Sequence, residues 1–125
     1  MIIAIDFDGT IVEDCYPEIG KLKEGAKEVI NNWFCDGNQI IINTCRTAKL
    51  EGKCIDFLND NGILYSFVNC NIPSQIEAYA SDSRKISADI YIDDKSLFGL
   101  PTWEAINLIV KTHENYSKIL CIPNF

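Results

Sequence analysis

Four short segments of this chain are rich in apolar β-branched residues and run nearly continuously rather than alternating: residues 2–7, 39–43, 64–69 and 89–92. A continuous apolar run of that length is the signature of a parallel strand covered on both faces. A fifth segment of similar composition lies at residues 118–122. Between the runs fall helical patterns at residues 24–34, 48–59, 73–80 and 102–112. In the first of these, Ala26, Val29, Ile30 and Trp33 fall on one helical face, and Asp36-Gly37 supplies a stop. Strand–helix alternation at this spacing predicts an α/β, Rossmann-like three-layer fold: a parallel five-stranded sheet with helices on both faces.

Such a sheet has a functional edge. Right-handed crossovers place the carboxyl ends of all its strands together, and ligands bind there. The first strand ends in "DFDGT", giving Asp6, Asp8 and Gly9. The second, "IIINTCRT", ends at Thr44, with Arg46 two residues on. The fourth, "ADIYIDDK", ends at Asp93 and Asp94, and Lys85 precedes it. Carboxylates only a few Å apart and partly desolvated repel one another strongly. The cluster is tolerable if it holds a hard divalent cation, and Mg²⁺ suits it, since that ion takes oxygen ligands and commonly adds a substrate phosphate oxygen. With the phosphoryl charge neutralised by Mg²⁺ and Lys85, a carboxylate can attack phosphorus. A second carboxyl two residues away can handle the proton. Gly9 lets the backbone turn close to the ligand.

In order and position these segments resemble the motifs of the haloacid dehalogenase-like phosphohydrolases. "IIAIDFDGTIV" is similar to their first motif, "IIINT" to the second, and "KISADIYIDD" to the third and fourth. The resemblance implies Asp6 as nucleophile and Asp8 as general acid/base, with the Asp8 backbone carbonyl also on the metal. It further implies Thr44 as a phosphoryl ligand and Lys85 as the steadying cation, with Asp93 binding Mg²⁺ directly and Asp94 acting through a metal-bound water. Gly9 and Arg46 are further substrate-binding candidates. Alternatives stay open: Arg84 or Lys95 in place of Lys85, a capping role for Thr44, and a surface salt bridge for Arg46.

Many members of that family carry a cap domain that closes the site. The stretches between Asp14 and Asn43, and between Thr44 and Lys85, are too short to hold one. A capless member is expected, with residues 13–20 as a short flap in which Tyr16 could reach the leaving group. Its substrate would be a phosphorylated small molecule or the phosphorylated end of a macromolecule, and a homo-oligomer could supply the missing lid.

Composition narrows the remaining classes. At 125 residues the chain makes one domain, 1–125. A net charge of −7, from 11 basic and 18 acidic residues, argues against generic nucleic-acid binding. No apolar run reaches the roughly 18 residues of a membrane span, and the amino terminus lacks signal-peptide features. A soluble, cytoplasmic protein is expected. The six cysteines form no CxxC pair and accompany a single histidine, His113, so the expectation is reduced, mostly buried thiols rather than zinc ligands. Two other functions remain to be weighed against a Mg²⁺-dependent phosphatase. One is a catalytically weak binding or scaffold protein that retains the fold. The other is a receiver-like phospho-acceptor domain, disfavoured because its acid pair would follow strand one rather than strand four.

Overall fold

The computed structural model describes residues 1–120, and the side chains of residues 1–115. Strand β1 (Ile2–Asp6) lies between β2 (Gln39–Asn43) and β4 (Ile90–Ile92), with β3 (Phe67–Val68) beyond β2. Every pairing is parallel and the order is β3-β2-β1-β4. The register sets Ile3 beside Ile40 and Ile90, Ile5 beside Ile42 and Ile92, and Asp6 beside Asn43.

Because side chains alternate along a strand, this register sorts the sheet into two faces. Ile3, Ile5, Ile40, Ile42 and Ile92 form one face and share a core with helices α1 (Ala26–Cys35), α2 (Ala48–Asp60) and α4 (Trp103–Leu120). Each helix contributes its apolar stripe: Ala26, Ile30 and Trp33 from α1, Cys54 and Leu58 from α2, and Trp103, Ile106 and Val110 from α4. Full burial of an isoleucine is worth about 1.5–3 kcal/mol, so this face carries most of the hydrophobic stabilisation. The indoles of Trp33 and Trp103 pack at 5.9 Å between ring centroids, and Trp33 Nε1 donates to Asn107 Oδ1 at 3.0 Å.

The opposite face is thinner. Ala4 and Ile41 are covered by Ile72 and Ile86, while α3 (Pro73–Tyr79) buries no side chain of its own. Helices therefore lie on both faces, three on one and one on the other. The loop after β1 folds back through isolated bridges between Asp8 and Val12 and between Val12 and Leu22, and it leads directly into α1 without an inserted domain.

Two expectations need correction. Among the described residues the sheet has four strands, not five: Lys118–Leu120 belong to α4, and Cys121 and Ile122 of the expected strand lie outside the described residues. No glycine or proline interrupts the chain from Trp103 to Leu120. Thr112, read as a helix end, instead donates from Oγ1 to the Leu108 carbonyl one turn back (2.9 Å) and lets the helix continue. The cysteines are also less buried than expected. Cys15, Cys35 and Cys45 are exposed and Cys70 is half-buried. Among the described residues only Cys54 is in the core, where burial pushes its thiol up to about 12. Among the described residues, no helix is long and apolar enough to cross a membrane.

Candidate functional site

Strands β1 and β4 are parallel neighbours in which Ile5 is level with Ile92, so the residues that follow, Asp6 and Asp93, emerge side by side. With Asp94 they form a cluster in which one carboxylate oxygen from each residue lies within 4.8 Å of the others. Thr10, fully buried, ties the cluster together. Its Oγ1 donates to Asp6 Oδ2 at 2.9 Å and accepts from the Asp94 amide at 2.9 Å. Its carbonyl accepts from Trp103 Nε1 at 3.0 Å, which anchors the loop to α4. Gly9 sits at φ +86, and a Cβ there would overlap the Asp94 carboxylate, so any side chain at this position displaces a member of the cluster.

The electrostatics record the crowding. Burial pushes the Asp6 carboxyl up to about 7, helped by its hydrogen bond with Asp94 and by the charges of Asp93 and Asp94, while the Thr10 hydroxyl pulls it down. For Asp94, burial acts upward but is outweighed. Hydrogen bonds with Asp6, Asp93 and Thr10, together with the Lys95 charge, hold its carboxyl below the usual value. The opposite directions of the two shifts favour the proton on Asp6 and the charge on Asp94. An all-oxygen set of three carboxylates this close could hold a hard divalent cation.

Asp8 has a different solution. Its carboxylate is not in the cluster. It accepts two hydrogen bonds from Arg46, through Nε and Nη2, each at 2.7 Å. Arg46 is completely buried. It also donates from Nη1 to the Pro17 carbonyl (3.0 Å) and from Nη2 to the Glu18 carbonyl (2.9 Å). Its guanidinium lies 5.6 Å from the Phe7 ring centroid and 5.2 Å from that of Tyr16. Arg46 is thus neither a surface ion-pair residue nor exposed to a ligand; it clamps Asp8 to the flap. Asp8 could reach a cation only through its backbone carbonyl. Tyr16 stacks on Arg46 while remaining more than half exposed.

Thr44 follows Asn43, the β2 partner of Asp6. Its amide donates to Asn69 Oδ1 (2.8 Å) and its Oγ1 accepts from the Arg46 amide (3.1 Å), which leaves the hydroxyl proton free for a ligand. Lys85 is not brought to the carboxylates. Its Nζ lies 5.4 Å from the Tyr91 ring centroid, and among the described residues it pairs with none of Asp6, Asp93 and Asp94. Tyr91 is level with Ala4, so Lys85 lies against the sheet face that Asp6 shares, over a residue two positions, about 6.6 Å, behind Asp6 along the strands. Asn71 fixes that loop by donating to Asp82 Oδ1 (2.8 Å) and accepting from the Ser87 amide (2.6 Å), while Ile86 is buried in the thin core. Lys23 is the lysine bonded to the "DFDGT" loop, donating from Nζ to the Gly9 carbonyl at 2.6 Å. Thr10 and Lys23 went unassigned in the sequence. Thr10 could have been found from its place in "DGT", whereas nothing around Lys23 marks it.

No family model matches the chain, and no curated protein matches it. A solved structure of a conserved, locus-encoded protein from Bacteroides thetaiotaomicron superposes with a TM-score of 0.82 at 33% sequence identity, covering 95% of this chain and 96% of that one. The chain belongs to the same family as that conserved protein.

Proposed function

We propose that the chain is a cytoplasmic Mg²⁺-dependent phosphatase of the haloacid dehalogenase-like type, acting on a phosphorylated small molecule or on the phosphorylated end of a macromolecule. The observation that carries this reading is the Asp6–Asp93–Asp94 cluster, with Asp6 pushed up to about 7 beside two further carboxylates. Mg²⁺ held by Asp6, Asp93 and Asp94 would offset their repulsion and neutralise phosphoryl oxygens.

The chain's own residues then have distinct tasks. An Asp6 oxygen attacks phosphorus, an acyl phosphate bond forms, and the bond from phosphorus to the leaving oxygen breaks. As that bond breaks, Asp8 passes a proton to the leaving oxygen. It next takes a proton from the water that attacks the acyl phosphate, which releases inorganic phosphate and frees Asp6. For this Arg46 yields one of its two bonds to Asp8 while keeping the flap carbonyls. The Thr44 hydroxyl binds a phosphoryl oxygen. Lys85, exposed and held by one aromatic face, swings forward along the sheet face to meet the anion.

Asp6→Asn tests the assignment. Hydrolysis of 4-nitrophenyl phosphate with Mg²⁺ should fall by about three orders of magnitude or more, with a thermal midpoint no lower than wild type. A variant that kept the wild-type rate would end the nucleophile assignment. A second reading, a catalytically weak binding protein on the same fold, is favoured by the distance of Lys85 from the cluster and by the Arg46 clamp on Asp8. It predicts phosphate-analogue binding with no turnover across a panel of phosphorylated metabolites.

A further inference from the structure

The loop that begins with the cluster ends in an unusual turn. The Ser96 amide donates to the Asp93 carbonyl (3.2 Å) and the Gly99 amide to the Ser96 carbonyl (2.9 Å). Leu97 and Phe98 occupy the tip of the turn and are 90% and 96% exposed. Such tips ordinarily carry glycine, proline, asparagine, aspartate or serine, so two large apolar side chains in water need a partner surface. Beside the tip a mostly apolar cleft of about 150 Å³ opens between β4 and α4, lined by Ile90, Leu100, Ile106, Ile109 and Val110, with Asp93 as its one charged residue. Leu108 and Ile109 extend the apolar surface along α4. Among the described residues, the outer edge of β4 has no strand beside it.

We propose that this face is the interface of a symmetric homodimer, in which Phe98 of each copy enters the cleft of the other. Three observations select a second copy as the occupant. An apolar cavity of about 150 Å³ accepts a benzene ring, so the cleft matches one phenyl side chain. Ser96 and Gly99, which flank the tip, also line the cleft. Knob and hole thus sit side by side, and a single two-fold rotation engages both pairs at once. Finally, Leu97, Phe98, Leu108 and Ile109 together offer about 600 Å² per copy, or about 1,200 Å² per pair, which is where specific interfaces begin. A different protein could fill the hole but would leave the tip unexplained. This inference does not depend on the reading of the carboxylate cluster.

Sedimentation of the full chain tests it. The wild type should dimerise with Kd on the order of 10 µM or tighter. Phe98→Ser should weaken that by about tenfold or more, and Leu97→Ser by less. Both side chains lie outside the core, so neither variant should shift the thermal midpoint measured below Kd. A chain of charge −7 repels its copy, so raising the salt concentration should tighten the dimer. A wild type that stays monomeric at about 200 µM overturns the proposal; the face would then belong to another occupant, such as residues 121–125 or a different protein. A dimer that Phe98→Ser leaves unchanged overturns it equally, because the contact would lie elsewhere.

Discussion

Asp6 and Asp8 are separated by one residue and stand in opposite electrostatic situations. Asp6 faces two further carboxylates and is pushed up to about 7. Asp8 faces a fully buried guanidinium that meets both of its oxygens at 2.7 Å. Phe7 between them is in the main core, and it fixes which way each neighbour turns. The Asp8 pair is compensated within the chain, whereas the Asp6 cluster is three carboxylates gathered around one hydroxyl, which the proposed cation would complete. Charge compensation held inside the chain supports the fold, and the proposed function rests on its being supplied from outside at Asp6.

The sharpest way to break this contrast is at Arg46. Arg46→Met should cost about 3–5 kcal/mol, because Asp8 is left as a poorly solvated charge and the Pro17 and Glu18 carbonyls lose their donors. Arg46→Lys should recover little, since a point charge cannot reproduce the fork. Chemical denaturation reads both, and a loss below about 1 kcal/mol would place Arg46 among ordinary surface pairs.

At the cluster the contrast runs the other way, since an added cation should stabilise. At about 100 times Kd, Mg²⁺ should add about 2.7 kcal/mol to the wild type and markedly less to Asp93→Asn. Thermal unfolding with and without Mg²⁺ is the measurement. Equal gains in both proteins would remove Asp93 from the ligand set.

Thr10 stands between the two regions, and its removal should have a smaller effect. Thr10→Val deprives Asp6 of a donor and leaves the Asp94 amide without its acceptor, at a cost of about 1–3 kcal/mol. Thr10→Ser keeps the hydroxyl and should lose less than Thr10→Val. Denaturant midpoints for the two variants make the comparison, and equal losses would mean that the methyl group rather than the hydroxyl matters.

What the sequence disclosed and what it hid follow the same division. Asp6 and Asp93 were legible as neighbours because parallel strands with continuous apolar runs share one carboxyl edge, and β2 spans Gln39–Asn43 as its pattern indicates. Arg46 was not legible. Its burial depends on the flap carbonyls of Pro17 and Glu18, and the choice of backbone acceptors leaves no trace in residue type. The position of Lys85 depends on how the Asn71 network folds the loop before β4, which periodicity does not report. The expected fifth strand failed for a third reason. A short apolar β-branched run at the end of an uninterrupted helical pattern fits either element, and length decides for the helix.

The effect that bears most directly on Asp6 is the pH dependence of stability without divalent cations. In the unfolded chain Asp6 releases its proton near 3.8, whereas in the folded chain it keeps it to about 7. Between those values the native state binds more protons than the unfolded state, so stability must fall as pH rises through this window and level off above it. The sign is opposite to that of a paired carboxylate, whose contribution is lost as pH falls. Asp6→Asn has no proton to release and should flatten its share of the slope, which makes the variant relatively more stable at pH 8 than at pH 4. Saturating Mg²⁺ should flatten the wild-type slope as well, because a bound cation favours the ionised form. Denaturation midpoints across that range, for both proteins with and without Mg²⁺, measure this. A wild-type slope that Asp6→Asn leaves untouched would place the proton on another group and remove the electrostatic distinction between Asp6 and Asp8.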